Sequence, residues 1–438
     1  MSQEQLFEGG EDVGEVRVEE QAKGPARVKR ANRSQSVLDA VCLDELIPGD
    51  HRARAFWALL EKLDLSSFYE PIRAREGEAG RPALDPRMLC CLWLYATSEG
   101  IGSARHLARL CERDAPYRWI CGGVHVAAHT LSDFRVGNEQ ALDTLLSELL
   151  AVLMRRGVVR LARVAQDGVR VRASAGAASF RRERSLRKCL KDAKAQVRLT
   201  RLQLDAPARD ESRVKAAAKA RAAQEIEARV SEALVELEEV RGSKTRRKTK
   251  TPSEMRASTT DPEARVMRMP DGGYRPAYNA QIATDTESRI VVGVSVTQSG
   301  SDMNQLTPML EEIEERTGRL PAEHLVDGGY VKKQAIEDAA AQGVEVYAPQ
   351  SKLREGASTP RWDDKKGVAA WRQRMESDEG REIYKERGST AETVNADLRQ
   401  WRGLRQLPVR GAGKVLSVLL WMVLSYDLMR VIRLGIEL

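Results

Sequence analysis

The sequence predicts an α/β protein: a mixed sheet flanked by helices, preceded by an all-α block and interrupted by a charged helical hairpin. Three observations carry this reading. Residues 36–158 place apolar side chains at helical spacing between short turns. Residues 251–349 alternate strand-like and helix-like segments. Between these parts, residues 180–250 are rich in Ala, Arg, Lys and Glu, with narrow apolar seams. A chain of 438 residues suits two or three domains of roughly 100–200 residues each.

Residues 1–35 have almost no apolar periodicity and read as a disordered arm, acidic first and basic by Lys29, Arg30 and Arg33. No secretory signal pattern occurs there, so a cytoplasmic protein is expected. In the helical block, Phe56, Leu59, Leu60 and Leu63 form one apolar stripe after Asp50-His51. Asp85-Pro86 opens the apolar helix RMLCCLWLYATSEG. Ser103 starts ARHLARLCERD, which carries Arg105, Arg109 and Arg113 on one side. HTLSDFRVGN leads into the amphipathic helix ALDTLLSELLAVLMRRG. Short helices packed at angles suit a helix-turn-helix DNA reader; a plain bundle with a solvated basic face fits the same pattern.

Residues 159–175 read as one long strand, VRLARVAQDGVRVRAS. The hairpin follows, with seams at Leu186, Leu190, Val197, Leu202 and Leu204, then at Ile226, Val230, Leu234 and Leu237. Its basic tail holds Lys244, Arg246, Arg247 and Lys248, either phosphate contacts or a linker. GYRPAYNAQIATDT and RIVVGVSVTQS read as paired strands, SDMNQLTPMLEEIEERTG as a helix and AEHLVDGGY as a strand with a tight turn. A further helix, KKQAIEDAAAQG, precedes the strand VEVYAP. Residues 350–380 read as a loop with one short helix, and 382–401 as a helix. The apolar run VLSVLLWMVL is about half the length of a membrane span and reads as a buried helix.

The six cysteines form no C-x-x-C pair and have no histidines at zinc spacing, so reduced, buried thiols are expected. Lys and Arg outnumber Asp and Glu 71 to 64, for a formal net charge of +7, which favours a phosphate-bearing partner over a membrane or a small-molecule substrate.

The candidate chemistry rests on three carboxylates. Asp167 ends the apolar part of its strand, Asp327 ends another before Gly328-Gly329, and Glu392 lies in YKERGSTAETVNADLR. Oxygen ligands of this kind suit two Mg²⁺ or Mn²⁺ ions about 3.5–4 Å apart, which cut and join phosphodiesters. Each has a plainer reading. Asp167 and Asp327 fit strand-end turn chemistry. Glu392 completes Ser389-x-x-Glu392, a capping box in which it only caps a helix start. Tyr384 and Arg387 before it, and Asn395 and Arg399 after it, favour a phosphate-facing helix instead.

In these segments the chain resembles the DDE transposases of bacterial insertion sequences, in the branch with a Tyr-x2-Arg-x3-Glu-x6-Lys/Arg signature. Here the pattern is Tyr384-x2-Arg387-x4-Glu392-x6-Arg399, one residue longer between Arg and Glu. QDGVRVRASAG is similar to the family's first-Asp strand, LVDGGY to its second, and PAYNAQIATD to the strands between them. LRQWRGLRQLPVRG followed by an apolar helix also resembles this branch. The resemblance implies an RNase H-like catalytic domain over 159–438, with 180–250 inserted and 36–158 as a DNA-binding domain. It implies that Asp167, Asp327 and Glu392 hold two metal ions, and that Tyr384, Arg387, Asn395 and Arg399 face DNA. Expected partners are double-stranded transposon-end and target DNA and a second copy of the chain. The implied activity is cleavage at the terminal inverted repeats and transfer of the 3′-hydroxyl to target DNA. A catalytically decayed repressor and a nuclease without strand transfer are the alternatives.

Overall fold

The structure is a computed structural model that describes residues 40, 42–73, 82–205, 210–245, 255–350 and 364–437. The expected arm at 1–35 lies outside the described residues, as do Arg246, Arg247, Lys248 and the side chain of Lys244. The chain divides into Met1–Cys42 and Leu43–Leu438, and the helices and strands named below belong to the latter.

Seven helices come first: α1 (Arg52–Lys62), α2 (Ser66–Tyr69), α3 (Pro86–Ser98), α4 (Ala104–Arg113), α5 (Ala115–Cys121), α6 (Ala128–Gly137) and α7 (Glu139–Arg155). Their starts follow local chemistry. The side chain of Asp85 accepts the Arg87 N–H at 2.9 Å while Pro86 supplies the first helical φ. Ser103 caps α4 by accepting the His106 N–H. Gly122, in the left-handed region, ends α5. The sequence reading missed α5 as a helix and took α6 for a lead-in to α7, because α5 is short and α6 buries only Leu131 and Arg135. Helix α3 is apolar all round, as befits a central helix. Cys90, Cys91, Cys111 and Cys121 lie buried in this core as free thiols.

The main sheet holds β1 (Arg163–Arg172), β4 (Arg265–Arg268), β5 (Tyr274–Asp285), β6 (Val291–Thr297), β7 (Glu323–Leu325) and β8 (Glu345–Tyr347). The order is β4-β5-β1-β7-β8, with β6 on β5 beyond β4. β5 runs antiparallel to β1, β4 and β6, whereas β1, β7 and β8 are parallel. Helices flank it, so the arrangement is consistent with an RNase H-like core. β5 is buried almost throughout, which is why its sequence barely alternates. Two corrections apply: the long strand expected over 159–175 is shorter, Leu161 having a positive φ of 54°, and β4 was not anticipated.

The hairpin, α8 (Glu183–Asp205) and α9 (Asp210–Thr245), stands between β2 (Phe180–Arg181) and β3 (Ala257–Ser258), which pair with each other as a separate two-stranded sheet. Leu186, Val197, Val230 and Leu237 are buried, but Leu202 and Ile226 of the expected seams are exposed. A lone helix pair covers only one stripe on each member.

The remaining helices are α10 (Leu306–Thr317), α11 (Lys333–Ala341), α12 (Lys366–Glu376), α13 (Asp378–Arg387), α14 (Thr393–Gln400) and α15 (Ala412–Arg433). The expected loop with one short helix thus contains all of α12 and the start of α13. Helix α15 is 22 residues long, twice the apolar run read from the sequence, and by length and composition it could cross a membrane. It lies instead in the core, with 83% of its apolar window buried. The Ser417 hydroxyl and Trp421 indole donate to the Arg135 carbonyl at 2.7 and 3.0 Å, and Ser425 donates to the Leu94 carbonyl at 3.0 Å. On its other side Asp427 accepts the Val291 N–H of β6 at 2.9 Å. One apolar core therefore runs from the N-terminal helices through α15 to the sheet.

Candidate active site

The parallel pairing of β1 with β7 sets Val164 beside His324 and Ala165 beside Leu325. Two residues further along each chain stand Asp167 and Asp327. Both are half-buried. Asp327 caps the turn Gly328–Tyr330, its carboxylate accepting the Gly329 N–H at 2.7 Å. Burial raises the pKa of Asp167 above the ordinary carboxylate value, and the neighbouring Asp327 charge pushes the same way. The Arg387 guanidinium and the hydrogen bond from Asn395 oppose that rise.

The helix bearing Glu392 is fixed over this pair. Arg163 of β1 forms ion pairs with Glu323 of β7 and Glu386 of α13. Ala391, 3% exposed, packs with Ala165, Leu325 and Tyr347. Asn395, 6% exposed, donates from Nδ2 to Asp167 Oδ2 at 3.0 Å. Its Oδ1 is buried without a partner, as is Nη1 of Arg387. Arg387 Nε reaches the Tyr384 hydroxyl at 3.4 Å.

Between α13 and α14, Gly388–Glu392 forms a π turn, and the helix runs through it without a break. The capping-box reading of Glu392 is thereby corrected: Ser389 stands inside a helix, and its hydroxyl donates to the Glu386 carbonyl at 3.0 Å. A π turn holds one residue more than an α turn and bonds i to i+5. Glu392, five residues after Arg387, therefore comes back over it, and the additional residue in the spacing is absorbed. Asn395 and Arg399 follow at three and seven residues, on the same helix face.

The expected three-carboxylate pocket is only partly assembled. Asp167 and Asp327 meet, whereas Glu392 is exposed. Among the described residues no group of three His, Cys, Asp or Glu side chains stands together as a metal site. Turned to solvent, Glu392 keeps its hydration; turned inward it would meet two like charges. Asn395 faces Asp167 rather than the open surface expected for a DNA contact. Tyr384, Arg387 and Arg399 are half-buried, with the Arg387 charge facing both aspartates, while Arg105 and Arg109 lie exposed on α4.

Sequence reasoning missed the polar network behind the pair. Asp302, 8% exposed, accepts from Asn279 at 2.6 Å, Gln281 at 2.9 Å and Arg170 at 2.9 Å. Gln281 Oε1 accepts from the Tyr330 hydroxyl at 2.5 Å and from Gln166 at 2.9 Å, and Gln166 accepts from His324 Nε2 at 2.9 Å. These groups link the Asp327 turn to the Asp167 strand. The available signal was polar residues at alternate positions of an otherwise apolar strand, Asn279 and Gln281 in YNAQIA.

Two family models match the chain: a transposase domain (DUF772) over residues 41–137 and a transposase DDE domain over residues 245–428. The chain belongs to an insertion-sequence DDE transposase family. That places it, at the level of the family, among proteins that cut and join DNA. The DDE-domain match contains Asp327 and Glu392, and Asp167 precedes it. Neither the curated proteins nor the solved structures gave a match.

The donor set fits the divalent metal that DDE chemistry implies. Asp327, whose charge helps to raise the pKa of Asp167, and Asp167 itself, with the orphaned Oδ1 of Asn395 alongside, are hard oxygen donors whose repulsion a cation would offset.

Proposed function

We propose that this transposase cleaves phosphodiesters at the ends of its element and joins the freed 3′-hydroxyl to target DNA, using Asp167, Asp327 and Glu392. The observation that carries this reading is the juxtaposition at the sheet: Asp167 and Asp327 on adjoining parallel strands, with Asn395 of the Glu392 helix bonded to Asp167. Asp167 and Asp327 would hold divalent metal, Mg²⁺ or Mn²⁺, joined by Glu392 after rotation from solvent. When bound, two such ions activate the attacking oxygen and neutralise the leaving one.

The protein's own residues do the rest. Asn395 fixes the orientation of the Asp167 carboxylate. Arg387, whose charge faces both aspartates and whose Nη1 is unpartnered, contacts a phosphate oxygen when DNA enters. Tyr384 holds Arg387 in place, and Arg399 extends the cationic face along the helix. DNA is the partner on this reading, with two chains acting on two element ends.

The test is nicking of a labelled duplex that carries the element's terminal repeat. Asp327→Ala should abolish metal-dependent cleavage and preserve binding to the end. Cleavage at the wild-type rate would refute the assignment. Strand transfer to a second duplex separates a transposase from a nuclease that only cuts.

A further inference from the structure

Resting on that reading, we infer that Tyr330 is a positioning residue for the reaction: its buried hydroxyl, acting through Gln281, ties the Asp327 turn to the Asp167 strand and sets the separation of the two carboxylates that would hold metal.

The need for such a tie comes from the sheet. The pairing of β1 with β7 ends at Ala165 and Leu325, two residues short of the aspartates. Asp327 then enters its turn, where its carbonyl accepts the Tyr330 N–H at 3.2 Å and its carboxylate accepts the Gly329 N–H at 2.7 Å. These bonds fix the turn within itself and leave its place against β1 to side chains.

Two groups that only accept set the direction of the side-chain bonds. The Asp302 carboxylate faces Gln281, so Gln281 turns Nε2 to it at 2.9 Å. The Gln305 carbonyl faces Gln166, so Gln166 turns Nε2 to it at 3.0 Å. Gln281 Oε1 is thereby left to accept, from the Tyr330 hydroxyl at 2.5 Å and from Gln166 Nε2 at 2.9 Å. Gln166 Oε1 in turn accepts from His324 Nε2 at 2.9 Å, which gives that nitrogen the proton.

The Tyr330 and Gln166 bonds therefore meet at one oxygen. Gln166 precedes Asp167 on β1 and points to the opposite face of the sheet. Tyr330 follows Asp327 by three residues. The tie acts from behind the pair and touches neither carboxylate. Packing alone does not call for the hydroxyl: Tyr330 is 0% exposed among Leu306, Val326 and Ile336, where a phenylalanine would serve. A buried hydroxyl is costly unless it is hydrogen-bonded, and here its bond holds the turn. Groups that orient metal ligands from behind typically change metal affinity by about 10–100-fold when removed.

The experiment compares Tyr330→Phe and Gln281→Met with wild type, as full chains checked by thermal unfolding. Tyr278→Phe is the matched control: Tyr278 is 1% exposed on β5, and its hydroxyl donates to Asp261 at 2.7 Å. Hydrogen exchange of the 326–331 segment is followed by mass spectrometry in EDTA, and cleavage of the terminal duplex is titrated with Mn²⁺. Tyr330→Phe and Gln281→Met should each speed exchange in that segment by ~10-fold. Each should also raise the Mn²⁺ concentration for half-maximal cleavage by ~10-fold or more, and saturating Mn²⁺ should restore the rate. The two together should lose no more than the worse single variant, because they remove one tie. If both variants match Tyr278→Phe in exchange and in metal requirement, the inference is overturned and the catalytic reading stands. If exchange and metal requirement change additively in the double variant, Tyr330 and Gln281 act separately and the tie is likewise overturned. If wild type does not cleave in any metal, the catalytic reading falls and the inference falls with it.

Discussion

Gly168 shows how closely the active site is packed from behind. A Cβ there would lie 2.5 Å from Asp302 Oδ1 and 2.7 Å from Gln281 Nε2. Gly168→Ala should therefore displace the network beneath Asp167 and lower cleavage by ~10-fold or more, with the protein still folded by circular dichroism; wild-type turnover would show that the network is passive. His324 offers a pH test. Burial drives its pKa down from 6.5 to about 3, so it stays neutral in the fold. The unfolded chain takes up a proton as pH falls below about 6.5 and the folded chain does not, so stability present at neutral pH is lost toward pH 3. Between pH 7 and pH 5 this one group should cost about 2 kcal/mol. Urea midpoints of His324→Gln should fall less over that interval than those of wild type; parallel falls would remove His324 as the cause. Both residues stand in the sequence without a mark of their role. Asp167 and Asp327 were legible because each ends an apolar strand. Asp302 and His324 acquire significance only when β1, β5 and β7 come side by side.

At the scale of elements, the π turn is the feature that pattern reading could not supply. Ser389-x-x-Glu392 satisfies the capping-box pattern, yet the helix already has a start at Ser377, whose hydroxyl accepts the Gly380 N–H at 3.0 Å. An earlier cap and a sheet-packed Ala391 outweigh the local signal. Deleting Ser389 should close the π turn to an α turn and keep Glu392 over Arg387, with cleavage retained within ~10-fold. Inserting an alanine at the same place should rotate Glu392 away and abolish cleavage. Equal loss in both variants would mean that the turn does not set the register. Elements such as α1, α3, α7, α10, α11, β5 and β6 were readable because each carries a repeating pattern of buried residues. Of the missed ones, α5 and β4 are short, and α6 buries only Leu131 and Arg135, too few to mark a helical period.

Over the whole molecule, α15 joins the helical block to the sheet. It had the plainest sequence signal, an unbroken apolar run, but its partners on both sides were not legible, since they are more than a hundred residues away. Trp421 is 1% exposed and donates to the Arg135 carbonyl. Trp421→Ala should cost about 3–5 kcal/mol, and the loss should appear in one unfolding transition reported by probes in both the helices and the sheet. Two separated transitions would show that the halves fold independently. The measurement that most directly tests the central claim is cleavage of the labelled terminal duplex in Mg²⁺, Mn²⁺ or EDTA by wild type and by Glu392→Gln. Metal-dependent nicking at the repeat boundary, lost in EDTA and in Glu392→Gln, is the result predicted. Cleavage that survives either change, or binding without cleavage by wild type in every metal, would contradict it.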